Sequence, residues 1–301
     1  MKKLILPTLL TAAFFSQYSF SAQPVVIYNN SANKSDFWTP EKLKSAKPLP
    51  LIELPESIYK KLKKTDSVNE KKVADEGIPQ KADVSRKPYD IAGKLYFTND
   101  AGDALYCSAQ FVGSAGLLLT AGHCIRDENT GDWRNNFHFV QADENGTGTN
   151  KFDWKYAVTW SDLYSTQNTH INWGRDYAFI HVNGTNSKGF MGWKLDVPYD
   201  TFTEIGYPGT FENGKYMMEI KGHKGTVSTD PKIVQMVNNP MRHGNSGGAW
   251  VGAIGDNNST NNYVVGVESF SYNNDSNSTY SPYLDNDFTT LLNFSKNLSS
   301  N

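Results

Sequence analysis

The stretch Gly244-Asn245-Ser246-Gly247-Gly248 places three glycines around one serine. Glycines this dense disfavour helix and regular strand and mark a tight turn, one that leaves backbone N–H groups open beside a hydroxyl. Two other segments carry side chains that such a hydroxyl needs. Leu119-Thr120-Ala121-Gly122-His123-Cys124 sets a histidine at the end of an apolar run, and Arg175-Asp176-Tyr177-Ala178-Phe179-Ile180 sets a carboxylate before another. The order along the chain is therefore His, Asp, Ser.

Each residue type has a chemical reason to be there. A serine hydroxyl is a weak nucleophile at neutral pH, and imidazole is the base that titrates in that range. A carboxylate on the far ring nitrogen fixes the tautomer and stabilises the imidazolium, while backbone N–H groups, here those of Gly244 and Ser246, receive a developing oxyanion. Taken singly, each segment also has a plain structural reading as a glycine turn, a packed histidine or a strand start. It is their combination that points to acyl transfer.

Composition favours short strands and turns, since glycine, asparagine, threonine and aromatic residues are plentiful in the 301 residues. Leu105, Cys107, Ala109 and Phe111 alternate as a half-buried strand does, and Leu117–Leu119 runs on into the histidine segment. Further strands are expected at Phe137–Val140, Tyr177–Val182, Tyr216–Ile220, Ile233–Val237, Ala249–Ala253 and Tyr263–Val267. A last helix, capped by Asp287, can align Phe288, Leu291, Leu292 and Leu298 on one face.

The N-terminus reads as an export signal over residues 1–22. Met1-Lys2-Lys3 is positive, Leu4 to Phe15 is apolar, and small residues follow, with cleavage expected after Ser21 or Ala22. No later stretch is apolar enough for a membrane span, so a secreted, soluble mature chain is expected. Residues 23–88 form a propeptide or weakly structured N-terminal extension ahead of a domain at 89–301. The extension carries about 13 basic and 9 acidic residues, against about 14 and 22 in the remainder, so it can dock on the domain as an inhibitor or remain a solvated linker. If the extension is removed, the expected place of cleavage is near Arg86-Lys87. Nucleic acid is not an expected partner, because the lysines are interleaved with acids and lack an aromatic stacking platform. Asp127-Glu128-Asn129-Thr130-Gly131-Asp132 is rich in oxygen ligands but lacks the register of a calcium loop, and two cysteines do not make a zinc site, so no metal or cofactor is expected.

The segments Thr-Ala-Gly-His-Cys, Asp-Tyr-Ala and Gly-Asn-Ser-Gly-Gly resemble those of the trypsin/chymotrypsin-like serine peptidases. Gly93-Lys94-Leu95-Tyr96-Phe97, Ile205-Gly206-Tyr207-Pro208-Gly209 and the asparagine before the serine are similar to the bacterial branch that contains the glutamyl endopeptidases. The resemblance spans roughly residues 89–298. It implies an all-β fold of two antiparallel six-stranded β-barrels with a C-terminal helix and an active site between the barrels. It also implies His123, Asp176 and Ser246 as the catalytic residues and a disulfide between Cys107 and Cys124, as expected in an oxidising compartment. The specificity pocket would be lined by Pro240, His243, Glu268, Ser269 and Ser271.

Two departures stand out. Asn245 replaces an aspartate that pairs with a newly cut N-terminus in the animal enzymes, and a neutral amide cannot make that ion pair. Glu268 lies where glutamyl endopeptidases carry a histidine, so a lysine or arginine before the scissile bond is favoured over glutamate. An esterase is disfavoured, because the serine lacks the Gly-x-Ser-x-Gly elbow. The competing reading is a binding protein that keeps this fold without turnover. As a peptidase, the chain takes proteins or peptides as substrates.

Overall fold

The computed structural model describes residues 22–30, 37–55, 77–164, 171–229, 232–252, 254 and 262–298. The expected signal segment lies outside the described residues except for Ala22. Four short strands precede the domain proper: β1 (Pro24–Tyr28), β2 (Lys47–Pro48), β3 (Ile52–Leu54) and β4 (Gln80–Lys81). Each pairs with a strand of the domain, so the described parts of the 23–88 segment are laid onto it. A short helix, α1 (Pro40–Ser45), has Thr39 as its N-cap, with the side chain accepting the Lys42 N–H, and buries Leu43.

The first barrel is built from β5 (Ala92–Thr98), β6 (Ala104–Phe111), β7 (Leu117–Thr120), β8 (Asn135–Gln141), β9 (Asn150–Trp160) and β10 (Ala178–Val182). Its strands run in the order β9-β10-β7-β6-β5-β8, and β8 pairs back onto β9, which closes an antiparallel barrel. Closure leaves no free edge. The barrel is filled by Leu95, Phe97, Cys107, Ala109, Phe111, Leu118, Phe137, Phe139 and Ile180, which include the alternating residues expected from the sequence. The opposite face of β6 is buried as well, at Tyr106, Ser108 and Gln110. That face meets the second half of the molecule and the N-terminal extension, where Ser108 Oγ donates to the Gly244 carbonyl at 3.2 Å and Lys47 and Pro48 pair with Leu105 and Tyr106.

The second half contains β11 (Gly192–Trp193), β12 (Thr201–Gly206), β13 (Met218–Thr229), β14 (Lys232–Val237), β15 (Ala249–Gly252), β16 (Tyr263–Val267), β17 (Phe270–Tyr272) and β18 (Ser278–Pro282). They form a sheet in the order β11-β16-β15-β12-β13-β14-β18-β17-β3. The sheet wraps a core of Phe202, Met218, Val234, Met236, Trp250 and Val265, and the Val267 N–H of β16 donates to Ser281 Oγ of β18 at 2.9 Å across the remaining gap.

The final helix, α2 (Asn286–Leu298), buries Phe288, Leu291 and Leu292 and packs beside Tyr177 and Phe179 of the first barrel. Its cap differs from the sequence expectation. Asp285 accepts the Asp287 N–H at 2.8 Å and is the N-cap, while Asp287 lies inside the first turn and binds Arg175 at 2.8 Å.

Candidate active site

Between the two halves, Gly122-His123-Cys124 forms one helical turn directly after β7. The His123 N–H donates to Asp176 Oδ1 at 2.8 Å, and His123 Nδ1 lies 2.8 Å from Asp176 Oδ2. A carboxylate oxygen only accepts, so Nδ1 carries the hydrogen and Nε2 is left with a lone pair. Ser269 Oγ donates to the same Oδ2. Asp176 thus receives three hydrogen bonds, from two elements, and is fully buried. The Cys107–Cys124 disulfide ties the histidine turn to β6.

The serine lies on the turn its glycines require. Gly244 and Gly247 have φ of +83° and +80°, and a Cβ on Gly244 would stand 2.4 Å from the Tyr106 ring. The Gly248 N–H closes the turn on the Asn245 carbonyl at 2.7 Å. Three further backbone bonds hold it in place: Ser108 N–H to Ser246 O at 2.9 Å, Gly247 N–H to Glu268 O at 2.8 Å, and Glu268 N–H to Gly248 O at 3.0 Å. The first ties the serine turn to the first barrel and the other two tie it to the segment that carries Ser269. His123, Asp176 and Ser246 are thereby brought to one place. His123 Nε2 and Ser246 Oγ are both buried and neither has a hydrogen-bond partner among the described residues, so no hydrogen bond joins them.

The residues expected to line a specificity pocket have several different partners. Pro240 is partly exposed. Ser271 Oγ donates to the Ser278 carbonyl at 2.8 Å, and Ser269 is engaged with Asp176. Glu268 Oε2 accepts from Asn245 Nδ2, which also donates to Glu204 Oε1 at 2.7 Å. Burial pushes the Glu268 carboxyl up to about 7, while burial and then the neighbouring Glu268 push Glu204 well above the carboxylate range. Lys224 is bound to Asp200 at 3.3 Å and does not reach this pair. Glu204 was not singled out from the sequence. It lies on β12 in an otherwise apolar strand face, and that oddity is the only signal it gave.

Part of the 23–88 segment reaches the serine turn. The Leu49 N–H donates to the Tyr106 carbonyl at 2.9 Å, and the Leu49 carbonyl accepts the Gly244 N–H at 2.8 Å. The Leu51 N–H donates to His243 Nδ1 at 2.8 Å. Leu49 and Leu51 are themselves buried.

A trypsin family model matches residues 80–293. Among solved structures, the chain is similar to the protease Anisep from Arthrobacter nicotinovorans, with 27% identity, a TM-score of 0.58, and coverage of 72% of this chain and 98% of that one. A Glu endopeptidase (20% identity, TM-score 0.61, 74% and 98% covered) shares the fold. So does the thermostable serine protease AL20 from an extremophilic microorganism (22% identity, TM-score 0.57, 69% and 97% covered). No curated protein sequence matches. A family match over most of the chain, together with a histidine, an aspartate and a glycine-flanked serine gathered between two β units, places this protein in the trypsin family.

Proposed function

We propose that this chain is an exported serine endopeptidase acting through Ser246, His123 and Asp176. The observation that carries the reading is the His123–Asp176 pair at 2.8 Å, with His123 Nε2 and Ser246 Oγ both buried and neither engaged in a hydrogen bond among the described residues. In this mechanism Ser246 Oγ adds to the substrate carbonyl as its proton passes to Nε2. Asp176 holds the imidazolium, and the Gly244 and Ser246 N–H groups receive the oxyanion. Collapse breaks the C–N bond, Nε2 gives its proton to the departing amine, and an acyl-serine remains. Water then repeats the sequence and releases the acid.

Residues 1–22 act as the export signal, residues 23–88 as a removable leader and residues 89–301 as the peptidase domain, and the Cys107–Cys124 disulfide suits an oxidising compartment. Lysine or arginine before the scissile bond is preferred to glutamate, because Glu268 stands where the glutamyl endopeptidases carry a histidine and so supplies no cation to meet a substrate acid.

The test is labelling by a fluorophosphonate probe together with cleavage of a peptide library. Labelling that is lost in Ser246→Ala, with cuts after lysine or arginine, is the expected result. If the folded protein is never labelled, even with the leader displaced, the chain is a binding protein on a peptidase fold.

A further inference from the structure

We propose that residues 47–54 hold the enzyme latent by threading the substrate cleft backwards, so that the segment fills the binding sites of a substrate without being cut. The proposal rests on the serine-peptidase reading above for what is inhibited. The occupancy of the cleft rests on geometry alone.

The direction a substrate must take follows from the positions of the catalytic groups. His123 has to reach the departing amine, so the amine half of a substrate leaves on the side of Ser246 where His123 stands. That side is marked by β6, because Cys107 of β6 is bonded to Cys124, next to His123. The acyl half then extends the other way, along β17, the strand that follows the Glu268 segment bonded to Gly247 and Gly248 of the serine turn. A productive peptide therefore runs, from its N-terminus to its C-terminus, from β17 to β6.

The leader runs from β6 to β17. Lys47 and Pro48 pair in parallel with Leu105 and Tyr106, and Ile52, Glu53 and Leu54 pair in parallel with Phe270, Ser271 and Tyr272. Between the two ladders, the Leu49 carbonyl occupies the Gly244 N–H, one of the two donors meant for an oxyanion, and the Leu51 N–H is taken by His243 Nδ1. The ladder closes with the Asn273 N–H on the Leu54 carbonyl at 3.1 Å. Leu49 packs on the first-barrel core with Leu95 and Cys107, and Leu54 packs with Ile233 and Phe270.

Two features protect this segment. The carbonyl held by Gly244 belongs to the Leu49–Pro50 bond, and the Pro50 nitrogen lies on the β17 side, away from the position His123 serves. An attack by Ser246 there would have no correctly placed acid to release the amine, so the adduct would revert. Pro48 and Pro50 also preset an extended backbone, which lowers the entropy lost on docking. The site thus accepts one ligand class in this reversed sense, an apolar peptide of the form Lys-Pro-Leu-Pro-Leu.

The test uses the full chain, with two independent ways of lifting the segment. Leu51→Asp places a charge at a buried leader position, and Glu53→Pro breaks the β3 ladder at an exposed side chain. Neither residue belongs to the proposed catalytic machinery. Amide hydrogen exchange over residues 105–107 and 270–273 reports displacement without any need for activity, and fluorophosphonate labelling reports access to Ser246. The expected result is faster exchange in both segments, with labelling at least tenfold faster than in the unchanged protein. The synthetic peptide Lys-Pro-Leu-Pro-Leu-Ile-Glu-Leu, added to Glu53→Pro, should reverse the gain and be recovered intact, whereas a scrambled peptide should do neither.

Faster exchange with labelling unchanged from a readily labelled parent would overturn latency. Cleavage of the added peptide at Leu49–Pro50 would overturn the reversed threading. Exchange that rises in both segments while no form is ever labelled would uphold occupancy of the cleft and sink the peptidase reading instead. If one variant fails to fold, the other carries the test.

Discussion

Asn245 Nδ2 stands 2.7 Å from Glu204 Oε1 and donates to Glu268 Oε2 as well, so one neutral amide bridges two fully buried carboxyls next to the serine. An aspartate at this position would add a third acid to the cluster. An asparagine offers a donor instead, which is why a neutral residue suits this turn without a charged N-terminus to meet it. The two carboxyls cannot both ionise without a large desolvation penalty.

That pair gives a pH dependence with a definite sign. Burial raises Glu268 to about 7, and Glu204 is displaced in the same direction. The folded state therefore binds more protons than the unfolded chain between the ordinary carboxylate range and about pH 7, and stability from this pair falls as pH rises through that window. Glu268→Gln should flatten the profile and gain on the order of 1–3 kcal/mol relative to the parent at pH 8. Urea unfolding between pH 5 and pH 8 measures it, and an unchanged slope would mean the pair does not share a proton.

Asp176 and Ser269 should separate in their effects. Asp176→Asn puts an N–H donor against His123 Nδ1 and favours the wrong tautomer, so the rate should fall by on the order of 10⁴. Ser269→Ala removes only one of three donors to Asp176 and should slow the reaction by about tenfold, since one hydrogen bond to a charged group is worth roughly 1.5–3 kcal/mol, part of which is regained by rearrangement. The labelling rates of the two variants in the Glu53→Pro protein provide the comparison.

The disulfide joins residues 17 apart and holds the histidine turn against β6. Replacing Cys107 and Cys124 together with alanine should destabilise the protein by about 3 kcal/mol, as expected for a loop of this length. The denaturation midpoint should drop, and the drop should match that produced by reducing the parent protein.

Lys94 is a buried cation inside the barrel interface. Its Nζ lies 3.8 Å from Asp143 Oδ1, donates to the Gly214 carbonyl, and faces the Tyr106 and Tyr207 rings at 4.4 and 5.0 Å. Burial lowers its pKa to about 8 and raises that of Asp143. Lys94→Met strands the carboxyl, although Tyr96 O–H and the Gly146 N–H still donate to it at 2.9 Å. A loss of about 3–5 kcal/mol is expected, and much of it should be recovered in Lys94→Met combined with Asp143→Asn. Thermal unfolding of the two proteins checks both statements.

Local chemistry is what a sequence states best. The Gly244–Gly248 turn, the His123 and Asp176 segments, the alternation along β6 and the apolar face of α2 were all legible because each is dictated by neighbours a few residues away: positive φ, strand period, helix period. The N-cap was misplaced by two residues because Asp285 and Asp287 are equally good caps in isolation, and only the Arg175 partner on another element separates them. Glu268 was legible as an acid near the serine, but its partner Glu204 was not, since the two meet only when β12 and the segment after β16 fold over the same core. The leader is the clearest case. Lys47 to Leu54 binds through backbone N–H and C=O groups that every residue carries, to partners such as Gly244 and His243 nearly two hundred positions away. The sequence could suggest from charge that the extension docks. Only the tertiary structure decided that it enters the cleft, and in which direction, because strand polarity is set where two distant segments meet.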